Sequence, residues 1–260
     1  MDFTIGTSRW TGVAKILNRE HGIPSTSCPG KELDYITDQA IALVKHHRYN
    51  NNDNTFVYIT AGLTNLTEKV SYGYGRNRYQ EVMFYEEVMT AVNRVSDSFE
   101  RSRDRILMGQ GVVPVYSTVV PMSFWDWNYA RLCQGKTTRI DHVEDYLVMQ
   151  ADHEEAIVEL NNKIRTLNAR YDLLTPRIAN YVFQKKGADQ PHRLRHNRLV
   201  DGVHPTDDTI NAWTEEILST MSLNHVRANL DFNDSWVSQP ENRFNLIDIS
   251  DSEDNLDSMC

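Results

Sequence analysis

The chain has 260 residues, 24% of them charged and 10% aromatic, with a formal net charge of −9. A chain of this size can bury a full core and fits one α/β domain with insertions. No apolar run approaches the ~18 residues of a membrane span, and three distant cysteines (Cys28, Cys133, Cys260) suggest neither a disulfide framework nor a zinc site.

The first element in chain order is a short apolar strand, Phe3-Thr4-Ile5, followed at once by Gly6-Thr7-Ser8. A serine therefore stands at the C-terminal end of a strand, the edge where open α/β sheets bind ligands. The chain enters this strand directly from Met1-Asp2, without the basic start and apolar core of a signal peptide. That beginning and the odd cysteine count fit a reducing compartment, so the expected location is intracellular, cytoplasmic or nuclear, and not secreted.

Leu33, Ile36, Ala40, Leu43 and Val44 recur at helix spacing, and Thr55 to Thr60 reads as a buried central strand. A second helical pattern runs through Val82, Tyr85, Val88, Met89, Val92, Val95 and Phe99. The β-rich run between Arg105 and Pro121 contains Pro114, which predicts a break or a sheet edge. Residues 122–146 carry Trp125, Trp127 and Tyr129 in an irregular context, readable as a lid beside the strand ends or as aromatics covering the sheet edge.

A long amphipathic helix is expected through Ala156, Leu160, Ile164, Leu167 and Tyr171, and the best candidate for a fifth strand is Leu173-Leu174. The last clear helix has Ile210, Trp213, Ile217 and Met221 on one face, with Thr206 as its N-cap and acids in its first turn. Strands alternating with helices imply a mostly parallel sheet with helices on both faces. The expected organisation is a domain over residues 1–223, a partly packed extension over 224–243 and an acidic disordered tail over 244–260.

Just before the last helix lies Asp201-Gly202-Val203-His204-Pro205. An acid three residues before a histidine can fix the ring's tautomer and stabilise its cation within one short segment. A serine hydroxyl is a poor nucleophile at neutral pH and needs such a base beside it. Taken alone, a Gly-x-Ser after a strand is usually a turn, and an Asp-x-x-His before a helix is often capping chemistry.

In order, Gly6-Thr7-Ser8, Cys28-Pro29-Gly30, Ala61-Gly62-Leu63-Thr64-Asn65 and Asp201-Gly202-Val203-His204-Pro205 resemble the sequence blocks of the SGNH (GDSL-like) hydrolase superfamily. The resemblance spans about residues 1–223 and implies a flavodoxin-like three-layer α/β/α sandwich. It implies Ser8 as nucleophile, His204 as general base and Asp201 as the acid that orients it. The backbone N–H groups of Ser8 and Gly30 would line an oxyanion hole, with Thr64 or Asn65 as the third donor. Two departures stand out. Thr7 replaces the acid of the family's usual Gly-Asp-Ser, and the third block places threonine where its asparagine belongs, with Asn65 one residue later.

The implied activity is that of an esterase or acyl-hydrolase on a small ester or acyl substrate, working through an acyl-enzyme without cofactor or metal. A catalytically impaired binding or interaction module of the same fold is the alternative. A nucleic-acid-associated accessory protein is a second, motivated by the basic stretch Lys185-Lys186 and His192 to Arg198. Asp231 to Cys260 carries a net −7, which leaves about −2 for the rest, so the domain is nearly neutral and nucleic acid is an unfavoured partner. SGNH-like domains also occur in proteins of mobile elements, a setting that the acidic tail and intracellular character fit. Within the tail, Leu246-Ile247-Asp248-Ile249 followed by acids resembles a SUMO-interacting motif, in which an aliphatic strand adds to a sheet edge and the acids face a basic rim.

Overall fold

In a computed structural model, residues 2–47, 55–73, 79–137, 140, 144–185 and 191–231 are described. The strands are Phe3–Gly6 (β1), Ser25–Ser27 (β2), Phe56–Thr60 (β3), Glu68–Tyr72 (β4), Tyr79–Met83 (β5), Val113–Tyr116 (β6), Phe183–Gln184 (β7) and Arg193–Leu194 (β8). The helices are Thr11–Glu20 (α1), Leu33–His47 (α2), Leu63–Leu66 (α3), Val88–Gln110 (α4), Phe124–Cys133 (α5), Asp145–Ala169 (α6) and Asp207–Asp231 (α7).

The central sheet has the order β2-β1-β3-β6 and is parallel throughout. β1 and β3 are buried along their whole length, as strands covered on both faces must be. Tyr58 of β3 reaches α7, where its hydroxyl accepts from Asn224, and the Phe56 ring meets His225 of the same helix. On the opposite face, Tyr116 of β6 packs edge-on against Phe99 of α4 and donates to Ser102. With α1 against α7 and α2 against α4, the chain forms a three-layer α/β/α sandwich. Two small antiparallel pairs, β4 with β5 and β7 with β8, are added outside it.

Several elements differ from the sequence reading, each for a physical reason. Val82 belongs to β5, and Tyr85 precedes α4, which begins at Val88 with the Glu87 carboxylate accepting from the Met89 and Thr90 N–H groups as N-cap. The irregular 122–146 stretch contains α5, started by Ser123, whose hydroxyl accepts from the Asp126 N–H. β2 has only three half-buried residues, too few for an alternation to show. The final helix continues through Asn224, which is fully buried, to Asp231.

Leu173-Leu174 forms no strand. β6 is the sheet edge, and its Val113 and Ser117 N–H groups point to β3. Pro114, Tyr116 and Thr118 therefore face outward, and proline's missing N–H falls on the side where none of the described strands pairs. Among the described residues, both outward groups of Tyr116 and the outward N–H of Thr118 are paired without a fifth strand. The Asn168 side chain of α6 accepts from the Tyr116 N–H and donates to the Tyr116 carbonyl, at 3.1 and 2.8 Å. Asn161, two turns earlier, does the same for Val119, and the Thr118 N–H donates to the Pro176 carbonyl. Side-chain amides thus stand in for the neighbouring strand.

Candidate active site

Parallel pairing brings the C-terminal ends of all four strands to one edge. Ser8 follows β1, Gly30 follows β2, and Gly62 to Asn65 follow β3. The fourth segment reaches this edge through the connection after β6. Arg9, next to Ser8, donates through Nη1 and Nη2 to the carbonyls of Val120 and Pro121, at 2.6 and 3.1 Å. Two residues on, the Ser123 N–H donates to the Gly202 carbonyl at 2.9 Å. The β6–α5 connection therefore holds both the Ser8 turn and the Asp201–His204 loop.

That loop is closed at its base. Leu199 bridges Pro205, the Val200 N–H donates to the His204 carbonyl, and the Thr206 N–H donates to the Arg198 carbonyl. Inside it, Asp201 Oδ1 accepts from the N–H groups of Val203 and His204, at 3.0 and 2.8 Å. Its Oδ2 meets His204 Nδ1 at 2.7 Å. A carboxylate on Nδ1 selects the tautomer protonated there and leaves Nε2 as the basic atom of the neutral ring. Nε2 has no hydrogen-bond partner among the described residues, and Trp127 flanks the ring with centroids 5.7 Å apart.

Gly202 allows the loop to dock. It sits at φ +79°, and a Cβ there would stand 2.8 Å from both the Ser123 carbonyl oxygen and the Asp126 Cβ. Gly202→Ala is expected to cost about 1–2 kcal/mol from backbone conformation alone, with the clash added. The strain is released by moving Asp201 and His204. Urea denaturation checks this, and a wild-type midpoint would refute it.

Burial opposes ionisation of Asp201, but the His204 ring and two N–H groups outweigh it and hold the carboxyl below its ordinary value of 3.8. A carboxyl lowered on folding adds stability above its ordinary value and loses it as pH falls through the lowered one. The stability gap between wild type and Asp201→Asn should therefore narrow as the solution is acidified from about pH 6 to about pH 3. Urea midpoints across that range measure it, and a constant gap would count against the arrangement.

The other expected residues are placed as follows. Ser8 is half-buried and opens a short 3-10 turn, and its hydroxyl has no hydrogen-bond partner among the described residues, His204 included. Gly30 is exposed at φ +65°, and a Cβ on it would meet nothing within 4 Å, so its glycine is required by backbone conformation rather than by space. Thr64 is half-buried in α3. Asn65 is half-buried, and its Oδ1 accepts from the Leu33 N–H at the start of α2, at 3.0 Å. Thr7 is buried, and its N–H donates to the Thr60 carbonyl. Leu246, Ile247, Asp248 and Ile249 lie outside the described residues.

Two features escaped the sequence reading. Arg9 is fully buried behind the serine, and Asp126 of α5 pairs with His196 at 2.6 Å. Among the described residues, no three His, Cys, Asp or Glu side chains gather to hold a metal ion, and no helix is long and apolar enough to cross a membrane.

Neither a family model nor a curated protein matches the chain. Solved structures do. A Bacteroides fragilis protein provisionally described as an acylhydrolase superposes with a TM-score of 0.54 at 12% identity, covering 86% of this chain and 87% of its own. A GDSL-like lipase from Bacteroides thetaiotaomicron superposes with a TM-score of 0.52 at 11% identity, covering 87% and 88%. The fold is that of the SGNH (GDSL-like) hydrolases.

Proposed function

We propose that this chain is an SGNH-type serine hydrolase acting on an ester or acyl group, with Ser8 as nucleophile, His204 as general base and Asp201 as its orienting acid. The observation that carries this reading is the 2.7 Å contact between Asp201 Oδ2 and His204 Nδ1, in a loop tied to the same connection that holds the Ser8 turn. In the proposed reaction His204 Nε2 removes the Ser8 proton as the oxygen attacks the substrate carbonyl. The tetrahedral oxyanion is held by the Ser8 and Gly30 N–H groups, each worth about 3 kcal/mol in such a role. Collapse of the intermediate returns the proton from His204 to the leaving alcohol and leaves an acyl-Ser8 ester. Water, deprotonated by the same ring, then releases the carboxylate and restores the serine.

A non-catalytic binding module of the same fold is the second reading. A Ser8 hydroxyl without a bond to His204 among the described residues favours it. A fluorophosphonate probe separates the two, since only an activated serine reacts with it. The hydrolase reading expects labelling at Ser8 that His204→Ala removes. Absence of labelling on folded wild-type protein would leave the binding module.

A further inference from the structure

Three of the four polar groups of Asn65 are spent. Its N–H donates to the Gly62 carbonyl at 3.1 Å, its carbonyl accepts from Arg94 Nη2 at 2.9 Å, and its Oδ1 accepts from the Leu33 N–H. The Leu33 group is a donor, so the amide oxygen must face it and the amide nitrogen must face away. Nδ2 has no hydrogen-bond partner among the described residues and is not buried. The one open group is therefore a donor, at the edge where Ser8 and Gly30 stand. Leu33 opens α2 three residues after Gly30, so the bond to Oδ1 also ties the Asn65 side chain to the segment that carries Gly30.

The β3–α3 turn is held at both ends. At its start Gly62 sits at φ +108°, and a Cβ there would stand 3.0 Å from Phe99 and from Val119. At its end Arg94 of α4 grips the Asn65 carbonyl, while Nε and Nη2 of the same guanidinium donate to the carboxylate of Glu86. A guanidinium fork on two carboxylate oxygens has a fixed orientation. Arg94 and Glu86 are both partly exposed, and such pairs add little stability. What this pair adds is geometry.

We propose that Arg94 is a positioning residue for the hydrolysis, oriented by Glu86 and holding Asn65 so that its Nδ2–H is the third donor to the oxyanion. The inference rests on the hydrolase reading and deepens it. Arg94 acts through Asn65: its bond to the carbonyl fixes the backbone of residue 65, and the Leu33 N–H then fixes the amide plane. A donor aimed at the place where charge develops works in the transition state more than on bound substrate. Small errors of aim are costly there, and a displacement of about 1 Å can lower a rate about 10²-fold.

A double-mutant cycle on p-nitrophenyl ester hydrolysis by the full-length protein tests this. Asn65→Ala should lower kcat about 10²–10³-fold with little change in KM. Arg94→Met should lower kcat about 10-fold or more, again with little change in KM and with a urea midpoint near that of wild type. In the Asn65→Ala background, Arg94→Met should cost almost nothing further. Glu32 and Glu68 also act on Arg94 electrostatically, so loss of its charge is the rival cause of a slower rate. That loss would persist without the Asn65 amide, and Arg94→Lys, which keeps the charge but not the fork, would restore the rate. Either result would overturn the proposal. So would a wild-type kcat in Arg94→Met, or a loss at Thr64→Val with none at Asn65→Ala. If Arg94→Met does not fold, Glu86→Ala takes its place in the cycle, with a loss confined to the Asn65 background expected and equal losses in both backgrounds overturning the proposal. A wild type that neither hydrolyses esters nor takes up a fluorophosphonate would remove the hydrolase reading and the proposal with it. An active wild type that is indifferent to Arg94 and Glu86 removes the positioning role alone.

Discussion

Ser8→Ala is expected to slow hydrolysis of short p-nitrophenyl esters by about 10⁴-fold or more, and His204→Ala by a similar factor, with the double variant no slower than either single one. The non-additivity is the diagnostic part. A serine that only bound substrate would change KM, and its effect would add to that of the histidine. A serine activated by the ring loses its function with either partner, because a neutral hydroxyl at its ordinary acidity is hardly nucleophilic. Asp201→Asn should lie between wild type and these variants, since the ring keeps its place but loses the carboxylate that selects its tautomer. Circular dichroism should be unchanged in Ser8→Ala, as the hydroxyl has no partner among the described residues. Equal rates for wild type and Ser8→Ala would end the mechanism.

What the sequence made visible was local. Asp201 and His204 stand three residues apart, so the contact between them depends on one loop and little else. The strand ends were visible too, because glycine and small residues interrupt β-forming runs at Gly6 and Gly62. Pro114 announced its edge because a missing N–H has the same consequence in any sheet. What stayed hidden depends on partners far along the chain. Asn65 serves the start of a helix 32 residues earlier, which no motif aligned on its own neighbours can reveal. Nothing in the residues around Arg9 marks it as buried, and its partners Val120 and Pro121 lie more than a hundred residues away. Asn161 and Asn168 adjoin Leu160 and Leu167, on the face that the apolar pattern had already marked as buried. An asparagine on such a face announces an unmet backbone group, and that was the missed sign of an edge needing no further strand.

That reading of the edge carries the largest expected effect on stability. Asn168→Leu keeps the side chain's branching and number of heavy atoms but removes an amide that serves one N–H and one carbonyl of Tyr116, and also donates to the Thr175 hydroxyl. Both Tyr116 backbone groups are buried with the residue itself, so water cannot replace the lost bonds. At roughly 1–3 kcal/mol for each polar group left unmet, the loss should be about 2–5 kcal/mol in urea unfolding. Asn161→Leu should cost a comparable amount at Val119, whereas Asn162→Leu, one residue further along the same helix and exposed, should cost almost nothing. The unmet edge should also make Asn168→Leu prone to association, since a bare strand edge pairs with whatever strand it meets. Concentration-dependent light scattering during refolding would register this. A stability within about 1 kcal/mol of wild type would mean that Tyr116 finds other partners and that the asparagines are passengers. A large loss at Asn168 and Asn161 but not at Asn162 would establish that two side chains of one helix do the work of the absent strand, holding in place the β6–α5 connection on which both halves of the candidate active site depend.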